Sequence, residues 1–119
     1  MEFLRRIRNL LASKLQDEGG LERKLRERGF EEFLYATAEG LPIGGTFEDV
    51  EELSARLPEL FKSLASVTQS DDHILLTPTA VYVLIKVTED VVMLAKGRRV
   101  PGWDDIEELK RLTRRELKL

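Results

Sequence analysis

The sequence predicts an α+β fold: a five-stranded, mainly antiparallel sheet held between one long middle helix and helices from the two ends of the chain. Three observations lead there. Residues 33–38 and 80–87 are apolar on both alternating sets, the mark of strands covered on both faces. Between them, residues 47–67 repeat apolar side chains at three- and four-residue spacings, the period of a helix. The two ends of the chain carry the same helical spacing, so helices are available for both faces of the sheet.

Taken in order, residues 1–17 read as an amphipathic helix with Phe3, Leu4, Ile7, Leu10, Leu11 and Leu15 in one stripe. Arg5, Arg6, Arg8 and Lys14 occupy the rest of its surface. Gly19 and Gly20 interrupt it, because paired glycines are entropically costly inside a helix. A short helix over 21–28 follows and stops at Gly29, a natural C-terminal cap. Phe33 to Ala38 is an interior strand, Glu39-Gly40 a tight turn, and Leu41 to Gly44 the returning strand. Pro42 has no N–H for a ladder, which places that strand at an edge.

Thr46 reads as the N-cap of the middle helix, with Glu48 and Asp49 favoured by the positive end of its dipole. Pro58 should kink or divide that helix near Leu57. Strands are expected over 73–77, 80–87 and 91–95. A loop at 97–102 leads to the last helix, capped by a box of Asp104 and Glu107, with Ile106, Leu109, Leu112 and Leu117 as its stripe.

With 119 residues, 42% hydrophobic and 34% charged, the chain suffices for one domain with its own core. The net charge of −3 and pI near 5.3 argue against nucleic acid as partner. No cysteine is present, which excludes disulfides, thiolate metal sites and a cysteine nucleophile. The N-terminus carries charge through its apolar stretch, unlike a signal peptide, and no apolar run reaches the roughly 20 residues of a membrane span. The expected location is the cytoplasm. Scarce Asn and Gln beside abundant Glu, Lys and Arg lean towards a thermophilic source.

Chemistry has little to stand on. His73 is the only histidine, and Ser70-Asp71-Asp72-His73 imitates a triad only along the chain, whereas triads are built from distant segments. His73 reads as an ordinary residue at the start of a strand. Gly44-Gly45-Thr46 precedes a helix but lacks the lysine of a phosphate loop, so it reads as a turn with a cap. Lys96, Arg98 and Arg99 read as a solvated basic loop. We expect no catalytic residue, no metal site and no cofactor, and hence not an enzyme.

The run Phe33-Leu34-Tyr35-Ala36-Thr37-Ala38-Glu39-Gly40-Leu41-Pro42-Ile43 resembles the first hairpin of the roadblock (dynein light-chain roadblock type) family. Residues 81–87 and 91–95 are similar to that family's last hairpin. The resemblance covers residues 21–117 as a roadblock-like domain and leaves 1–18 as an added N-terminal amphipathic helix. It implies a roadblock/longin/profilin-like layout and a dimer in which the middle helix and an edge strand of each subunit meet. It also implies a role as platform or regulator for small Ras-like GTPases, or as an adaptor or scaffold, with no catalytic residues. Pro58 departs from the family's continuous, Ala-rich helix.

The residues themselves support an interface. The middle helix offers more apolar positions than one sheet face needs, and surplus apolar surface marks contact sites. Val50, Leu53, Leu57, Leu60 and Phe61, with Ile74 and Leu76 of an edge strand, are the expected homodimer or partner surface. Phe3, Leu4, Ile7 and Leu11 form a further candidate partner helix, unless they pack on the domain's own sheet. The competing expectations are a small-molecule sensor, for which Tyr82 and Lys86 supply the central strand's few polar atoms, and a purely structural scaffold subunit.

Overall fold

A computed structural model of the chain describes residues 2–16 and 20–119. The elements run α1 (Glu2–Gln16), α2 (Leu21–Glu27), β1 (Phe30–Thr37), β2 (Pro42–Gly45), α3 (Val50–Thr68), β3 (His73–Leu76), β4 (Val81–Lys86), β5 (Val91–Gly97) and α4 (Trp103–Glu116). The strands form one antiparallel sheet in the order β2-β1-β5-β4-β3. The expected α+β layering is therefore present. The ends assigned to the first helix at Met1 and Asp17, and the break at Gly19, lie outside the described residues.

Strand parity sorts the core into two halves. Phe33, Tyr35, Val83, Ile85, Met93 and Ala95 face one side, under Leu4, Ile7 and Leu11 of α1, Leu21 and Leu25 of α2, and Ile106, Leu109 and Leu112 of α4. Leu34, Ala36, Leu84, Val92 and Leu94 face the other, under α3. Both faces of the inner strands are thus buried, as their unbroken apolar runs require.

One helix covers what three cover opposite, and topology makes it cross the whole sheet. β2 and β3 are the two edges, about 19 Å apart at roughly 4.8 Å per strand spacing. The 19 residues of α3 span about 28 Å, enough to carry the chain from one edge to the other. α3 lies closest to β1 and β2. The outer part of its face, at Leu75 and Tyr82 on β3 and β4, stays half-buried.

The two edges end differently. At β2, Pro42 has no N–H, and its carbonyl accepts a 2.7 Å hydrogen bond from Arg8 Nε. β3 has no proline and no such cover, and Leu76 is 66% exposed.

Three local expectations are corrected. Thr46 does not cap α3. Its N–H and hydroxyl bond to Phe33 (N to O 2.8 Å; Phe33 N to Oγ1 3.0 Å), which prolongs the hairpin, and α3 starts after Asp49. Pro58 does not divide α3, which continues through it. The carbonyl of Ser54, deprived of its helical donor by the proline, lies against Gly40, where a Cβ would sit 3.1 Å from that oxygen and from Pro58 Cγ. At φ +97° only glycine takes the turn without strain, so the hairpin and the proline fit each other. At α4 the N-cap is Gly102, whose N–H donates to the Asp105 carboxylate at 2.8 Å, while Glu107 pairs with Lys110. The capping carboxylate is Asp105, so the box sits two positions earlier than the Asp104–Glu107 pair requires.

Candidate protein-interaction surface

The sequence-derived surface residues do not form one patch. Leu57 is 2% exposed and seated on the sheet, so it belongs to the core. Val50, Leu53 and Phe61 are half-buried against the same cluster, whereas Leu60 is 37% exposed on the outer side of α3. Ile74 and Leu76 stand opposite Val83 and Val81 in the register and therefore point away from α3. The β3 residue on the α3 side is Leu75, opposite Tyr82.

A surface emerges that the sequence reading had grouped differently. Along α3, Leu60, Leu64 and Val67 follow at four- and three-residue spacing, and Val67 is 82% exposed. On the sheet face that α3 covers, Leu75 and Tyr82 stay half-buried, and β3 is an unpaired edge. Leu64 and Val67 belong to the stripe already read along the middle helix, whereas the place of Leu75 was hidden by strand parity. Four consecutive residues of β3 contain no polar alternation to announce which face is which.

For the N-terminal helix, packing on the domain's own sheet is the arrangement present. Leu4, Ile7 and Leu11 are buried in the chain's own core and Phe3 is half-buried against it, so this stripe is not free for a partner helix. What α1 shows to solvent is polar: Arg5 pairs with Glu2, Arg6 lies over the Phe3 ring, and Arg8 holds Pro42.

No nucleophile–base arrangement arises around His73. Ser70 Oγ is taken up by the backbone of Asp72, and the Asp72 carboxylate accepts the Lys86 N–H and pairs with Lys110. His73 Nε2 instead meets Thr68 Oγ1 at 2.7 Å. Gly44-Gly45 forms no anion cradle: Gly45 presses on β1, where a Cβ would come within 2.2 Å of the Phe33 carbonyl. In the basic loop, Lys96 and Arg98 face Glu32 and Glu31 of β1 at 3.8 and 2.6 Å. Among the described residues, no group of three or more His, Asp or Glu converges as a metal site, and no helix is long and apolar enough to cross a membrane.

Comparison with solved structures places this architecture. The chain superposes on MglB of Myxococcus xanthus with a TM-score of 0.59 at 10% identity, covering 81% of this chain and 84% of that one. It superposes on the gliding protein MglB of Thermus thermophilus with a TM-score of 0.59 at 12% identity, over 98% and 86%. A Roadblock/LC7 domain from Streptomyces avermitilis gives 0.57 at 10% identity, over 76% and 88%. The chain has the roadblock fold. No protein-family model matches the sequence, and no curated protein matches it either. The likeness therefore resides in the backbone, which shares its fold with these chains at 10–12% identity. α1, expected as an addition, packs into the same core as α2 and α4.

Proposed function

We infer that the chain is a non-catalytic, cytoplasmic protein-interaction module that pairs with a second copy of itself and serves a small Ras-like GTPase as adaptor or regulator. The observation that carries this reading is the incomplete cover of one sheet face. Leu60 and Val67 on α3 stand exposed, Leu75 and Tyr82 on the sheet face that α3 covers are half-buried, and the edge strand β3 lacks a partner. A two-fold contact there would bury apolar surface and complete the ladder together. The expected surface is accordingly Leu60, Leu64, Val67, Leu75 and Tyr82, with Val50, Leu53 and Phe61 beneath it and Ile74 and Leu76 along the edge. The roadblock fold supports the GTPase as partner, and regulation requires no catalytic group from this chain. Binding one conformation of the GTPase's switch segments better than the other is sufficient.

Light scattering after size exclusion, across a concentration range, tests the pairing. Twice the chain mass supports it, and a monomer at every concentration overturns it. Mixing with small GTPases of the same organism then tests the partner: altered nucleotide turnover or exchange identifies a regulator, binding without such a change an adaptor or scaffold, and the absence of both removes the GTPase from the reading.

The small-molecule alternative rests on a cleft between α3 and the β4–β5 turn, floored by Pro58, Phe61, Ala65 and Val92 and rimmed by Lys62, Asp71, Lys86 and Glu89. Its volume of about 230 Å³ is below the roughly 300–1,000 Å³ of ordinary ligand sites. The interaction reading is the stronger.

A further inference from the structure

Three large apolar side chains stand out from one corner of the fold: Leu76 is 66% exposed, Val100 61% and Trp103 59%. None of them belongs to either half of the core. Trp103 is the chain's only tryptophan, a residue type among those most enriched at the centres of protein contacts.

Helical phase fixes the flank of α4 on which the tryptophan sits. Trp103, Glu107, Lys110 and Arg114 follow at spacings of four, three and four residues, so they share one flank. That flank leans towards β3 and β4. Lys110 pairs with Asp72, just before β3, and Arg114 donates from Nη2 and Nε to the Val87 carbonyl, just after β4, at 2.9 and 3.1 Å. The other flank faces α2, where Glu108 accepts from Arg28. The preceding strand sets the direction of α4. β5 ends at Gly97, opposite Val81, which in turn stands opposite Leu76. α4 therefore starts at the Leu76 end of the sheet and reaches Asp72 and Val87 at the other. Trp103 thus occupies the Leu76 corner, on the face to which Ile74 and Leu76 point.

β3 is an open edge, and a ladder of four residues buries little by itself. A stable pair buries about 800 Å² on each partner, so strands joined here need apolar cover on both faces of the joint. Leu60 and Val67 offer it on the α3 side. On the α4 side the exposed groups are Leu76 and Trp103, and a tryptophan alone can contribute about 150–250 Å². Two β3 strands joined antiparallel about a two-fold axis keep like faces together, so the α4 flanks of both copies border one groove.

We propose that Trp103 anchors self-pairing on the α4 side: with Leu76 it closes over the β3 strand of a second copy, which returns the same contact. This rests on the pairing reading and adds a second face to it, one that α3 does not reach.

Because there is one tryptophan, its fluorescence reports on this corner alone. Emission and acrylamide quenching are read on either side of the concentration at which light scattering shows the mass to double. Pairing should move the emission to shorter wavelength and cut the quenching several-fold. Trp103→Ala should weaken self-association about tenfold or more with circular dichroism unchanged, and Trp103→Phe, which keeps an apolar ring, should lose less. A monomer at every concentration overturns the pairing and this anchor with it. A dimer whose tryptophan stays as open to acrylamide as in the monomer, or a Trp103→Ala chain that pairs as tightly as its parent, overturns the anchor and leaves pairing through α3 and β3 standing. Shielding that arises only when a small GTPase is added overturns it as well, and assigns the corner to that partner.

Discussion

The hydroxyls of Tyr35 and Thr113 lie 2.8 Å apart in the interior, joining the middle of β1 to the last turns of α4. Both residues are fully buried. Burial pushes the Tyr35 phenol far above its ordinary range, so it remains a neutral donor or acceptor across the pH range of the folded chain.

Thr113→Val keeps the shape and strands the Tyr35 hydroxyl, at a cost of about 1–3 kcal/mol. Tyr35→Phe with Thr113→Val removes both partners and should recover much of that loss. Chemical denaturation of the two single variants and the double one checks this. Simple additivity would show that the hydroxyls are not coupled.

Just beyond Thr113, Glu116 accepts from Lys24 Nζ at 2.5 Å and Lys14 Nζ at 3.3 Å, so one carboxylate ties α4 to α2 and α1. The hydrogen bond from Lys24 leads in holding its carboxyl below the ordinary glutamate value, against the opposing effect of burial. A depressed folded value means that the stabilisation is complete above the unfolded value, about 4.3, and is lost as pH falls through the folded one. Glu116→Gln should lower the melting temperature at pH 7, and its deficit should shrink as pH drops from about 5 towards 3. A pH-independent deficit would mean that packing, not charge, accounts for the residue.

Gly40→Ala forces a Cβ into a φ of +97° and to within 3.1 Å of the Ser54 carbonyl. A cost of about 1–3 kcal/mol is expected. Ser54→Ala should be neutral or stabilising, because its hydroxyl is buried without a partner. Thermal melts of both distinguish a constrained turn from a tolerant one.

Leu57→Ala empties a core position and should cost about 2–5 kcal/mol. Leu60→Glu with Val67→Glu touches only the exposed side of α3 and should leave the monomer folded while abolishing pairing. Circular dichroism together with solution mass separates these outcomes. If Leu60→Glu with Val67→Glu leaves the solution mass of a dimer unchanged, the surface is misassigned.

The fold was legible where a residue's role depends on its own stretch of chain. Val83, Leu84 and Ile85 declared an interior strand, Pro42 an edge, and Gly29 a helix end. Legibility failed where a distant partner decides. Thr46 has the chemistry of a cap, and only the nearness of Phe33 turns it to the sheet. Pro58 is tolerated because Gly40, eighteen positions earlier, accommodates the ring and the bereft carbonyl. Which of Ile74, Leu75 and Leu76 shares a face with α3 is settled by register with β4, on which an all-apolar strand is silent. The stripe of Leu4, Ile7 and Leu11 favoured the chain's own core but left contact open, because both uses demand the same spacing.

The unequal edges of the sheet bear on how far assembly can go. Proline and arginine seal the β2 side, so a copy joined at β3 offers the next arrival nothing to add to. A molecule sticky on one margin alone forms a closed pair and then stops; one sticky on both would seed a fibre. If copies pair at β3 as proposed, Arg8 lies on the opposite margin of the sheet, and its loss should be felt in the test tube as turbidity more than as instability.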